Sequence, residues 1–448
     1  MKKYLRKQSM LSRRGWLKSS SVIGASAIAY QRIAHSAVRS HRVRVGFIGC
    51  GGRATGLLKG FSKVSDVVWA CDPDSQRAEQ FQRKVKRTNA LKKTGDLRRV
   101  LDDKSVDAVV VATPDHWHAP AAILACAAGK HVYVEKPCSH NFTEGQLLVD
   151  AARRNDIVIQ HGTQSRSNPF IVNAIQLLKA DIIGEPLICK AWNIQRRKNI
   201  GHGNPSSPPA GVDYDTWVGP AEFVPYQSNR FHYNWHWWYN FGTGDLGNDG
   251  VHEIDIARWG LGVHGLPSQA NAMGGKFFFE DDQQFPDSAT CVFQWENKDR
   301  EMKDQKKQLI FEMRIWSKSY PHNVDSGVEF YGTKGMLFVS KRGKIAAWDD
   351  SNKPIMELPE TDLSSLAGSH QEDFVEAIAG SRRPAADIET AHDCCSLVHF
   401  ANASLRLGRS IHIRPHAEEL MAHDPEAKTM LGRSYRSKGY WAIPANMS

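Results

Sequence analysis

From Val43 onward, short apolar runs alternate with longer stretches whose apolar positions recur at helical spacing. Val43–Ile48 reads as a first buried strand, Val67–Cys71 as a second and Val106–Ala112 as a third. Lys130–Val134 and Ile157–Ile159 follow as a fourth and a last. Helices are predicted between them over Ser75–Lys86, near Asp96–Leu101, over Ala119–Ala128 and over Thr143–Arg154. Runs that are apolar throughout, rather than alternating, indicate strands buried on both faces, as in a doubly wound parallel sheet. The texture changes after residue 160. Leu187–Ile194, Ala270–Phe279, Ser288–Trp295, Gln308–Ser317, Gly327–Tyr331 and Gly335–Val339 read as strands of an open, mostly antiparallel sheet. Phe170–Leu178 is predicted as a helix on its buried side, while 201–247 is irregular and rich in Gly, Pro and aromatics.

The junction of the first strand and the next helix carries chemistry. Gly49, Gly51 and Ala54 have the G-x-G-x-x-G/A spacing, with Gly52 and Arg53 in the same turn. Gly49 permits the tight turn, Gly51 lets amides approach a pyrophosphate, and Ala54 lets the helix pack on the strand. The second strand ends in Asp72, where an acid would bind both ribose hydroxyls. The expected fold class is therefore α/β plus α+β. An N-terminal Rossmann dinucleotide-binding domain spans 42–160, and a C-terminal open-sheet, substrate-binding domain spans 161–369. Helices His370–Ala379 and Ile388–Leu407 lie in a segment, 370–414, that returns to the first domain; 415–448 is an arm that wraps the same subunit or a neighbour. Asp72 favours NAD over NADP because a carboxylate repels a 2′-phosphate; Arg77 stands near enough to keep NADP in view. Ligands of such sheets sit at the C-terminal strand ends, which also carry Thr113, Pro114, His118, Glu135 and Lys136.

Charge changes the picture of where the protein works. The formal net charge is +10, yet residues 1–36 hold eight basic and no acidic residues. Their removal leaves 50 basic against 48 acidic residues, a net +2, with no basic stripe for nucleic acid. Ser12-Arg13-Arg14-Gly15-Trp16-Leu17-Lys18, followed by an apolar stretch from Val22 to Ile33, reads as a twin-arginine signal cleaved after Ser36. The expectation is an exported, periplasmic protein that meets the twin-arginine export machinery already folded, with tightly held cofactor. The alternatives are an uncleaved anchor and a chance arginine pair. The eight cysteines show no C-x-x-C pair and read as buried thiols.

Glu135-Lys136-Pro137 makes the pattern specific. With the turn at 46–54, CDPDSQRA at 71–78, TPDHWHAP at 113–120, GTQSR at 162–166, GVHEIDIARW at 250–259 and a DF…Arg382-Arg383-Pro384 tail, the chain resembles the Gfo/Idh/MocA oxidoreductases. The resemblance puts Lys136 beside the substrate hydroxyl and the nicotinamide, where a cation would stabilise a developing alkoxide. It makes His252 the base candidate; Asp255, at i+3, would orient the imidazole. Many members carry an aspartate four residues before this histidine. Here that position is Asn248, followed by Asp249, which points either to a subfamily variation with unchanged chemistry or to altered reactivity.

Phe231–Phe241 packs seven aromatic side chains, histidines aside, into eleven residues. Such rings, Trp235 and Trp237 among them, stack on pyranose faces or form an interface. Gln164, Arg166, Asp249 and His252 are the other substrate-binding candidates, with Arg196 as a further contact. His116, His118 and His232 lack a carboxylate at ligand spacing, so no metal is expected. Together these features imply an NAD(P)-dependent oxidoreductase acting on a carbinol of a sugar, glycoside or cyclitol, as a homo-oligomer. A closed redox cycle is one way a retained cofactor would be re-oxidised. A carbohydrate-binding protein that kept the fold without the reaction is the second reading, and an assembly scaffold the third.

Overall fold

Strand β1 (Val43–Ile48) lies at the centre of a six-stranded parallel sheet in the order β3-β2-β1-β4-β5-β6. Its neighbours are β2 (Ser65–Cys71), β3 (Lys92–Thr94), β4 (Ala108–Val111), β5 (His131–Val134) and β6 (Ile159–His161). The computed structural model describes residues 42–85, 91–296, 305–355, 369–380, 382–415, 420–436 and 439. The predicted signal segment, 1–36, lies outside the described residues.

Alternation along β1 assigns its two faces. Val45 and Phe47 point into one core with Phe61 of α1 (Gly52–Val64) and Phe81 of α2 (Ser75–Lys84). Ile48 points into the other, with α3 (Leu97–Leu101), α4 (His118–Ala127) and α5 (Phe142–Arg154). Phe61 meets Phe47, Tyr133 and Phe374 edge-on at centroid separations of 5.7, 5.2 and 6.2 Å. Such T-shaped pairs add to the area they bury. Phe374 belongs to the helix His370–Ala379, so the chain does come back to close the first core.

The second sheet has eight strands in the order β13-β12-β11-β7-β10-β9-β8-β14. They are β7 (Pro186–Ile194), β8 (Gln269–Gly275), β9 (Ser288–Glu296), β10 (Lys306–Arg314), β11 (Ser326–Gly332), β12 (Gly335–Ser340), β13 (Lys344–Asp349) and β14 (Ile411–His412). Every pairing is antiparallel except β7 with β10. Burial alternates along β9 and β10, so one face carries the core. That face packs on α6 (Pro169–Lys179), on α8 (Val251–Leu261), which follows the short α7 (Tyr214–Val218), and on α10 (Ile388–Leu407); His370–Ala379 is α9. Two expectations change here. The segment 370–414 serves both halves, because after α9 and α10 the buried Ile411 and Ile413 draw β14 onto the edge of the second sheet. The last strand of the first sheet runs two residues later than the apolar run suggests, since it pairs through Gln160 and His161. Of the arm, residues 420–436 lie against the same chain.

Candidate active site

The β1–α1 turn is built for close approach. Gly49 has φ +85°, and a Cβ there would stand 2.6 Å from the carbonyl of Ala112 at the end of β4, so only glycine fits. Ala54 is fully buried where α1 meets the sheet. Gly51 caps α1 without any side-chain bond, and the first turn holds no acid, so no side chain caps its amides. At Gly52 no heavy atom lies within 4 Å of a would-be Cβ. This helix terminus is a cradle of the kind that accepts a phosphate.

Asp72 closes the same pocket from β2. Its Oδ2 accepts from the Cys50 amide at 2.8 Å and its Oδ1 from the Asp74 amide at 2.9 Å. Each oxygen keeps a lone pair for a ribose hydroxyl. Burial pushes the carboxyl up to about 6 against the pull of those two amides. The cavity is lined by Gly49, Gly51, Asp72, Arg77 and Thr113 and is roofed by Trp217 of α7. Pro114 and His232 also line it. The Thr113 hydroxyl is buried with no protein partner, an orphan polar atom facing the space a nucleotide would fill. These residues suit a dinucleotide.

His118 is a correction. Its two ring nitrogens face the carbonyls of Pro137 (2.6 Å) and Thr113 (2.9 Å), so it ties two strand-end loops together and has no nitrogen left for a ligand. Arg53 and Glu135 pair at 2.6 Å, and Arg53 also reaches Gln164 Oε1 at 3.3 Å. That network sits at the mouth of the turn.

The catalytic end is assembled by one turn of π-helix, Leu246–Gly250, in front of α8. Such turns commonly re-aim side chains at functional sites. Lys136, before a cis Lys136–Pro137 bond, donates from Nζ to the Asn248 carbonyl and to Asn248 Oδ1 at 3.1 Å. Asn248 Nδ2 donates in turn to Asp245 at 2.8 Å. Arg197 spans Asp245 and Asp249, and its Nη1 donates to the Tyr233 hydroxyl at 3.1 Å. Burial pushes the Asp249 carboxyl up, but Lys136, Arg197 and Lys341 together hold it well below the usual range. His252 is 6% exposed and its Nδ1 has no protein partner. Burial, then the charges of Lys341 and Lys136, drive its pKa far down, so the imidazole is neutral at neutral pH.

Three sequence expectations fail here for identifiable reasons. Asp255 does not orient His252, because Arg166 occupies both its oxygens at 2.7 and 2.8 Å. Arg166 is thereby committed to a buried ion pair under Trp259 rather than to substrate. Trp237 is 2% exposed and belongs to the main core, so its ring cannot serve as a sugar platform. Trp235 is half-buried and stacks on His236 at 3.6 Å. The cleft also contains Tyr233 and His236 of the 231–241 run, together with Arg197 and Lys341, which pattern reading left out. Arg196, the neighbour that was expected, forms an isolated backbone bridge with Trp316. Of metal-ligand type, one close group stands out among the described residues: buried Cys138, His161 and Cys395, with Cys395 Sγ 3.9 Å from His161 Nε2. All eight cysteines are free and buried.

A dinucleotide cradle at the strand ends, facing a lysine–histidine cleft under a second sheet, defines a two-domain Rossmann oxidoreductase. The family comparison makes this specific: residues 43–163 match the oxidoreductase family with NAD-binding Rossmann fold, and 190–443 match its C-terminal alpha/beta domain. The chain belongs to the Gfo/Idh/MocA family. It is similar to scyllo-inositol 2-dehydrogenase (NAD(+)) of Bacillus subtilis, 26% identical over 228 residues covering 50% of this chain and 55% of that enzyme. Alpha-N-acetylgalactosaminidase of Shewanella oneidensis is 30% identical over 175 residues, 36% of this chain and 38% of that one. The chain thus spans about half or less of these curated relatives. Levoglucosan dehydrogenase, solved with NADH and levoglucosan, shares the fold at TM-score 0.62 and 19% identity, covering 83% of this chain and 99% of that one.

Proposed function

We propose that this chain is an exported oxidoreductase acting on a carbinol of a sugar, glycoside or cyclitol with a retained NAD. The observation that carries the reading is the state of the three cleft cations. Arg197 bonds Asp245 and Asp249, and Lys341 bonds Glu253 at 2.7 Å, whereas Lys136 meets only the neutral oxygens of Asn248. Of the three, its ammonium is the one with no carboxylate in hydrogen-bond contact, so it is placed to stabilise a substrate alkoxide, with Asp249 close enough to feel its charge.

Gly49, Gly51, Gly52 and the α1 amides would hold the pyrophosphate, and Asp72 the adenosine ribose. Bound there, NAD supplies a hydride acceptor. Lys136 polarises the substrate hydroxyl while neutral His252 takes its proton. Asn248 holds Lys136 in place, and Asp249 and Tyr233 are set to bind neighbouring hydroxyls. NAD is favoured over NADP because Asp72 is aimed into the ribose end of the cavity. Relatives named as dehydrogenases of inositol and levoglucosan support the substrate class. A relative named as a glycosidase supports a cycle in which the electrons return to the same substrate. The roofed cavity suits a cofactor acquired before export and kept.

The test is to mix purified, cofactor-loaded protein with a panel of sugars, glycosides and cyclitols while following bound-NADH absorbance and products. Reduction or product formation that Lys136→Ala and His252→Ala abolish is expected. Binding of sugar with no turnover by any member would leave the carbohydrate-binding reading in its place.

A further inference from the structure

The adenosine end of the cavity has a roof that belongs to the second half of the chain, and the roof is fastened by the C-terminal arm. Trp217 and Thr216 line the cavity from above. Their segment is seated at two points of the first domain. On one side Ser75 N donates to Gly211 O (3.0 Å) and Asp213 N to Pro73 O (2.9 Å), beside the Asp72 loop. On the other, His116 Nε2 and Trp117 Nε1 both reach Trp217 O, at 3.0 and 3.1 Å. Burial, then Arg433, pushes the His116 pKa down to about 3, so the imidazole is neutral and its Nε2 carries the proton that bond needs. Gly219, with φ +52°, lies so close to the Trp117 indole that a Cβ would collide with it.

The arm returns over this roof. Arg433 Nε donates to Glu144 Oε1 (2.8 Å) and its Nη2 to the His116 carbonyl (2.6 Å), while Tyr435 Oη donates to the same Glu144 oxygen (2.8 Å). Glu144 is fully buried, so this is a seated anchor. One residue past Tyr435, Arg436 crosses to the roof itself. Its Nη2 donates to Asp215 Oδ1 at 2.6 Å and its Nη1 to the Gly219 carbonyl at 3.3 Å. Arg433 therefore grips the floor and Arg436 the lid, three residues apart on one strand of chain.

We propose that the arm is a latch on the cofactor: Arg433 and Arg436 are positioning residues that act through the α7 lid to slow nucleotide release. Neither touches the cavity. They make opening of the lid conditional on lifting the arm, which turns an exchangeable cosubstrate into a resident group. This rests on the proposed binding of NAD in that cavity. The ligand it confines is the adenosine half of a dinucleotide, the part beneath Trp217.

The experiment measures the release rate of NAD from loaded full-length protein after dilution into excess competing ADP-ribose. Arg436→Asp and Asp215→Arg each reverse one charge of the lid contact, and Asp215 is 59% exposed, so its replacement does not threaten folding. Each single swap is expected to speed release about tenfold or more, consistent with loss of a charge-assisted contact. The double swap Arg436→Asp/Asp215→Arg is expected to restore slow release, and turnover at saturating NAD should be unchanged in all three. Release at the wild-type rate in both single swaps overturns the latch while leaving the cofactor reading intact. Wild-type protein that takes up no NAD overturns both. A lid contact important only for folding would lower the melting temperature in the singles without changing the release rate, and that result also contradicts the latch.

Discussion

Lys136 Nζ is bonded to both oxygens of Asn248, backbone and side chain, across the cleft between the two halves of the chain. The amide does what a carboxylate at that position cannot: it accepts from Lys136 and donates to Asp245 at once. Lys136→Ala should lower turnover by roughly 10²–10³-fold, the usual cost of removing a donor from a developing oxyanion. Asn248→Ala should cost about tenfold, since the lysine stays but loses its rest position. Both should retain NAD; steady-state rates alongside nucleotide content check this.

Gly52 separates fold from function. No atom lies within 4 Å of a Cβ there, so Gly52→Ala should fold normally and gain up to about 1 kcal/mol from helix propensity and reduced unfolded-state freedom. NAD affinity should nevertheless fall tenfold or more, because the methyl would fill the cradle. Calorimetric melting and NAD titration on one sample decide. Unchanged affinity would mean the pyrophosphate lies elsewhere.

Asp72 should make cofactor binding pH-dependent. Burial raises its folded pKa from the ordinary carboxylate value of 3.8 to about 6. Below about pH 6 the folded apo-protein therefore favours the protonated acid. Its ionisation costs nothing at low pH, and the cost grows as pH rises between those two values to about 3 kcal/mol. Ribose hydroxyls donate to the ionised form, so NAD binding should release a proton near pH 6 and weaken as pH falls through it. Asp72→Asn should flatten this profile, measured by titration calorimetry in buffers of different ionisation enthalpy.

Arg166 should behave as a structural residue. Its pair with Asp255 is buried on the carboxylate side and nearly so on the other, and removing Arg166 strands the Asp255 charge, typically at about 3–5 kcal/mol. Arg166→Ala should lower the melting temperature sharply. A stable variant with raised KM alone would return Arg166 to the substrate site.

The first domain was legible because its signals are local. Apolar runs, a glycine turn and strand-end acids each act within a few residues, and the helices His370–Ala379 and Ile388–Leu407 match their expected bounds. Strand β3 was not expected, because Lys92-Lys93-Thr94 is a polar edge strand with no buried side chain. The two-residue strand Ile411–His412 is held by the sheet it joins rather than by its own pattern. The cleft was legible where a motif named it: Lys136, Asn248, Asp249 and His252. Arg197, Tyr233 and Lys341 come from a strand exit, an aromatic loop and a hairpin far apart in sequence, and only tertiary packing brings them together. The same holds for Asp255, whose helical spacing from His252 was outweighed by a guanidinium arriving from residue 166.

The central claim is that a nicotinamide dinucleotide resides in this fold. Purified native protein should be denatured and the released nucleotide identified by mass and quantified. Near-stoichiometric NAD is the predicted result. A protein that releases no nucleotide and also takes up no added NAD would contradict the account.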